Sequence, residues 1–228
     1  MANIKENTNA EALGNSEAFF LKHKKGIIAA VVAVVVIIVG LILYNNYYVG
    51  PHADEASTAL AKGQQYFEAE QYETALNGNK SGYAGFLGVA SDYSGTDAGN
   101  LANLYAGLCY AHLDKWNEAV TYLEKYSPSD DQMISPAAIA VLGDAYAHTD
   151  NLDKAVEQYK KAAKKADAVA ADGANNSLSP SFLIKAGEIL ESQGKKSEAL
   201  DIYNEVKTKY VNSAASREID KYIQRASI

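Results

Sequence analysis

With a single cysteine, Cys109, in 228 residues, the chain cannot close a disulfide within itself, so no internal staple holds the fold even in an oxidising compartment. Histidine is as sparse: four residues, scattered at 23, 52, 112 and 148, of which His112 and His148 share one repeat position without an adjacent carboxylate or cysteine, poor evidence for a metal site. The glycines at 82, 85 and 88 are followed by no Gly-Lys-Ser/Thr and preceded by no strand pattern, so they are turn residues and not a phosphate loop. No nucleophile signature is convincing either. The expectations are therefore no catalytic residue, no metal, no cofactor and no small-molecule substrate. Positive charge is also short. The net charge is −7, and since the first 25 residues hold four lysines and three glutamates, the remainder carries −8. An acidic body of that size argues against nucleic acid or a broad anionic lipid surface as partner.

A local absence matters as much. Gly26 to Tyr44 contains no charged residue, and 19 residues at about 1.5 Å each span roughly 28 Å, the hydrocarbon thickness of a bilayer. Eleven of them are Val or Ile, poor helix formers in water, but a single span in lipid can satisfy its backbone only as a helix. Lys22, Lys24 and Lys25 precede the run, and the first charges after it are Asp54 and Glu55, so the positive-inside rule predicts a cytoplasmic N-terminus. Tyr44, Tyr47 and Tyr48 suit the headgroup layer at the exit. The competing reading is a cleaved signal peptide. Such a peptide has an apolar core of about 7–15 residues ending at a small-x-small site, whereas this run is longer, follows a 25-residue polar tail and enters Asn45-Asn46. The predicted organisation is a cytoplasmic tail (1–25), a transmembrane helix (26–44), a linker (45–55) and a domain (56–228).

That domain repeats. A Gly is followed three residues on by a Tyr or Leu and twelve on by an Ala: Gly63, Tyr66, Ala75; Gly107, Tyr110, Ala119; Gly143, Tyr146, Ala155; Gly187, Leu190, Ala199. Small residues on two antiparallel helices let their backbones approach while the bulky one fills the adjacent groove. Polar pairs at Glu70-Gln71, Asp114-Lys115, Asp150-Asn151 and Gly194-Lys195 mark the turns of four helical hairpins. Sixteen residues after the Gly comes a large side chain, Leu123, Tyr159 or Tyr203. In the first unit that place is taken by Phe86, after about seven inserted residues. Ser135-Pro136 and Ser179-Pro180 lie seven residues ahead of their glycines, where Ser suits an N-cap and Pro the first helical position. Gly spacings of 44, 36 and 44 place the excess length in two inter-unit loops, Gly78 to Gly99 and Asp172 to Leu178. A last amphipathic segment, Ala214 to Ala226, puts Ile219, Tyr222 and Ile223 on one face and reads as a solvating cap.

Gly107-Leu108-Cys109-Tyr110 with Trp116-Asn117-Glu118-Ala119 resembles the tetratricopeptide repeat signature, and the resemblance covers most of residues 54–212. It implies an all-α fold: one transmembrane helix, then an α-solenoid of about four hairpins with a capping helix, serving as a protein-binding scaffold. An N-in anchor followed at once by such repeats, with Phe86-Leu87-Gly88-Val89-Ala90-Ser91-Asp92-Tyr93, is similar to the YfgM-like ancillary subunits of the bacterial Sec translocon. That likeness implies a bacterial inner-membrane protein with periplasmic repeats, partnered by the translocon and periplasmic chaperones. The alternative is an envelope-assembly or cell-division coordinator using its repeats for self-association.

In a stacked solenoid the first helices line the inner face. Counting the signature Gly as position eight, positions five and nine place Leu60, Gln64, Leu104, Leu108, Ala140, Asp144, Ile184 and Glu188 there. Positions twelve and thirteen add Phe67, His112, His148 and Glu191. The expected groove is apolar in the first two units and acidic in the last two. Cys109, between Leu108 and Tyr110, reads as a small packing residue.

Overall fold

In the computed structural model the backbone is described for residues 2–228 and side chains from Lys22 onward, so most side chains of the expected tail lie outside the described residues. Contacts divide the chain into two compact units, Met1–Asp54 and Glu55–Ile228. In the first, α1 (Ala2–Tyr44) carries the apolar run and passes into a π-helical turn, Asn45–Val49. Every side chain from Ile28 to Tyr44 is exposed, and the helix is long and apolar enough to cross a membrane. Around the π turn Tyr44, Tyr48 and His52 stack in a column, with ring centroids 5.3 and 5.9 Å apart.

The second unit is an all-helical solenoid without strands among the described residues. Its hairpins are α2 (Gly50–Glu68) with α3 (Tyr72–Asn77) and α4 (Gly85–Asp92), α5 (Asp97–His112) with α6 (Trp116–Leu123), α7 (Ile134–His148) with α8 (Leu152–Ala168), and α9 (Ser179–Ser192) with α10 (Lys196–Lys209). A short 3₁₀ turn leads to α11 (Ile219–Ser227), which buries Ile219 and Ala226 and leaves Lys221 and Gln224 exposed, as are Arg217 and Glu218 just before it. The four signature alanines, 75, 119, 155 and 199, are fully buried.

Why the glycines are small differs from the expectation. A Cβ on Gly107 would stand 2.5 Å from Leu123 Cγ, and one on Gly143 would stand 3.1 Å from the Tyr159 ring. At Gly63 and Gly187 it would overlap Phe86 and Tyr203 more deeply. The glycine is thus the seat of the large residue on the second helix, more than a point of backbone approach. Because Phe86 takes the same seat as Leu123, Tyr159 and Tyr203, the first unit keeps its register despite its insert.

The insert itself corrects one expectation. Gly78 to Gly99 is not a plain inter-unit loop: it splits the first unit's second helix into α3 and α4. Asn79 organises the turn, accepting from the Ser81 and Tyr83 N–H groups and donating to the Tyr66 hydroxyl at 2.7 Å. Tyr83 is buried, and its hydroxyl donates to the Ala75 carbonyl.

The four turns share one geometry. Glu70, Asp114, Asp150 and Gly194 all have positive φ, from 57° to 74°, and the next residue's N–H returns to the Tyr66, Tyr110, Tyr146 or Leu190 carbonyl at 2.8–2.9 Å. This is the left-handed cap that closes a helix by a six-to-one bond. Three of the four positions tolerate a carboxylate residue where glycine fits best.

The serine caps are also corrected. Ser135 lies inside α7, and Ser179 opens α9, preceded by Leu178 at the cap without a capping bond. The caps are built four residues earlier: Asp131 accepts from the Met133, Ile134 and Ser135 N–H groups, and Asn175 accepts from Ser177 and Leu178. Ser135 and Ser179 are fully buried and tie units together, Ser135 to Tyr126 and Ser179 to the Ala163 carbonyl and Asp167. Pro136 and Pro180 do occupy the first turns, where their missing N–H leaves no bond unmade.

Candidate partner-binding face

Position nine of each first helix reaches the following unit. Gln64 donates to the Tyr105 hydroxyl at 2.9 Å. Leu108 packs in one apolar cluster with Val141. Asp144 accepts from Lys185 at 2.6 Å and from the Tyr159 hydroxyl at 2.5 Å. Glu188 stands 3.7 Å from Arg225 of α11. The position is therefore a ladder of inter-unit links, with a polar rung wherever its side chain is polar.

Positions twelve and thirteen behave alike. His112 stacks on Tyr72 with centroids 4.2 Å apart and meets Phe67 edge-on; His148 stacks on Trp116 at 3.7 Å, with planes 2° apart. In both stacks the ring that opens one unit's second helix covers the histidine that closes the next unit's first helix. Glu191 accepts two parallel bonds from Arg225, both at 2.8 Å, and a third from Tyr203. The Arg225 guanidinium holds the Glu191 carboxyl below the usual carboxylate range, although partial burial opposes it. Burial and the Asp144 hydrogen bond push the Tyr159 hydroxyl far above its ordinary value.

Of the residues expected on this face, Leu60, Leu104 and Ala140 are buried; Gln64, Phe67, Leu108, Asp144, Ile184 and Glu191 are half-buried; His112, His148 and Glu188 are exposed. The carboxylates of the distal half do not form a bare acidic patch, because Lys185 and Arg225 stand beside them. Sequence reading missed these partners, along with Tyr105 and Trp116. The available signal was that Lys185 falls at position six of its unit, beside position nine of the unit before. Cys109 is fully buried, and burial pushes its thiol up to about 12, which suits a packing residue. No group of three or more His, Cys, Asp or Glu that could hold a metal ion occurs among the described residues.

The tetratricopeptide repeat family matches residues 101–127 and 182–213, the second and fourth hairpins. Those two hairpins are similar to tetratricopeptide repeats. Two solved structures of a kinesin-light-chain-type protein of Podosopora anserina with nearly identical TPR-like repeats, one of them a variant, share the fold. Each has a TM-score of 0.54 and 14% identity; the alignments cover 77% and 76% of this chain and 86% of theirs. No curated protein matches the sequence. The first and third hairpins fall outside the matched segments: the first has its second helix broken by the insert, and the third extends its second helix to 17 residues. Tetratricopeptide hairpins are protein-interaction scaffolds.

Proposed function

We propose that the chain is a membrane-anchored interaction scaffold, with residues 26–44 crossing a bacterial inner membrane, the 1–25 tail in the cytoplasm and the 56–228 repeats in the periplasm. There it serves as an ancillary subunit of the Sec translocon and links it to periplasmic chaperones. The observation that carries the reading is the union of two parts in one chain. One is a helix with an 18-residue window of mean hydropathy 3.3 and wholly exposed apolar side chains; the other is a tetratricopeptide solenoid. The lysines before the span give the orientation, and the resemblance noted from the sequence gives the translocon.

Partner contact falls on the exposed and half-buried members of the first-helix face: Gln64, Phe67, Leu108, His112, Asp144, His148, Ile184, Glu188 and Glu191. Leu60 and Leu104 are buried, so replacing them tests packing and not recognition. Co-purification of the full chain in mild detergent tests the reading. Recovery of translocon subunits, lost on Leu108→Ser with His148→Ala while helicity is unchanged, is the expected result. Recovery of the protein alone, or with cell-wall enzymes, would transfer the role to envelope assembly.

A further inference from the structure

Successive second helices leave a groove between them, and in a regular solenoid these grooves are equivalent. Here they are not. The space between α6 and α8 is about 330 Å³, and at its floor the Tyr146 hydroxyl of α7 donates to Glu124 at the end of α6. The space between α8 and α10 is about 870 Å³. One end is closed by Asp167, which accepts from Ser179, Lys209, Tyr210 and the Asn175 N–H.

The two walls carry opposite charge. Lys160 and Lys164 line the α8 side; Glu198, Asp201 and Glu205 line the α10 side, and buried Leu183 and Ile202 lie beneath. All five charged residues are exposed. No ion pair joins the two lysines to the three carboxylates among the described residues; the nearest pairings are Lys209 with Asp167 and, at 4.0 Å, with Glu205. Lys209 of α10 and Asp167 of α8 thus cross the groove at its closed end, and beyond that pair the walls are opposite in sign and unpaired with each other.

We propose that this groove binds an extended polypeptide segment in which acidic and basic residues alternate. In an extended chain successive side chains point to opposite sides, so alternation sends every acid to the lysine wall and every base to the carboxylate wall. The spacing also fits. Lys160 and Lys164 are four residues apart on a helix, about 6 Å, as are Asp201 and Glu205, and alternate side chains of an extended chain repeat at about 6.6 Å. The surface is separate from the first-helix face, so the two readings stand or fall independently.

The test uses the full chain in detergent micelles and three fluorescently labelled peptides of equal glutamate and lysine content, followed by anisotropy at low ionic strength. One alternates the two residues, one joins them as two blocks, and one places each on its own edge of a helix. The alternating peptide binds roughly tenfold tighter than either control, and salt weakens it because the contacts are exposed ion pairs. K160E/K164E and E198K/D201K/E205K each abolish that preference. The chain carrying all five changes recovers it, since its walls are exchanged and the peptide slid by one residue meets them again. Circular dichroism melting keeps the variants honest as folded proteins. Equal binding of the three peptides, no binding, preference for the helical arrangement, or failure of the exchanged chain to recover would each overturn the proposal.

Discussion

At the scale of the residue, the signature glycines are set by what sits on them, and this ranks their substitutions. Replacing an interior helix glycine by alanine gains about 0.5–1 kcal/mol from reduced backbone entropy, while overpacking loses about 1–3 kcal/mol. At Gly143 the Tyr159 ring needs to give only a few tenths of an ångström, so Gly143→Ala should leave the urea midpoint of the full chain nearly unchanged. At Gly187 the overlap with the Tyr203 ring is deep, so Gly187→Ala should lose about 1–2 kcal/mol, and Tyr203→Leu in the same chain should lose less than the sum of the two. Equal effects at the two glycines would contradict the seating. Asp167 is a second decisive residue. Burial alone would raise its carboxyl, but bonds from Lys209, Ser179, Tyr210 and the Asn175 N–H outweigh this and hold it below the ordinary range. A depressed carboxyl contributes stability that is present above the unfolded value near about 4 and lost as pH falls through the folded value. Melting of the wild type should therefore drop between pH 5 and strong acid, and Asp167→Asn should melt lower at neutral pH and show a shallower acid drop. Parallel acid curves would remove Asp167 from that role.

At the scale of the element, the joints between hairpins are made by side chains at fixed repeat positions. The Trp116–His148 stack joins α6 to α7, and Tyr72–His112 joins α3 to α5. Stacked aromatic pairs contribute about 0.5–1.5 kcal/mol beyond their burial. A double-mutant cycle on Trp116→Ala and His148→Ala should return a coupling of that size, and additive losses would show that the stack is incidental. The hairpin turns were legible in the sequence, since Glu70, Asp114, Asp150 and Gly194 sit in the polar breaks and take the left-handed cap. The insert was legible only as extra length. That it breaks one helix into α3 and α4 followed from where Tyr83 finds burial, against α2 and the Ala75 carbonyl.

At the scale of the whole molecule, orientation is the property to test. On the proposed topology, with Lys22, Lys24 and Lys25 on the cytoplasmic side, protease added on the opposite face of the membrane should digest 54–228 and spare a small anchored fragment; protection of the repeat domain would reverse the topology. The long apolar helix, the four-hairpin repeat and its register were determined by the sequence itself. Each rests on a local, periodic property: an unbroken apolar length, a small residue opposite a large one, a polar break between two amphipathic stretches. Tertiary structure alone decided the electrostatics of the face. Lys185, Arg225 and Tyr105 lie 41, 37 and 41 residues from Asp144, Glu188 and Gln64, and only the stacking of one hairpin on the next brings them within bonding distance. The groove between α8 and α10 is of the same kind. Its lysines and carboxylates look like ordinary solvated helix faces along the chain, and they become opposite walls only because α9 holds their two helices side by side and apart.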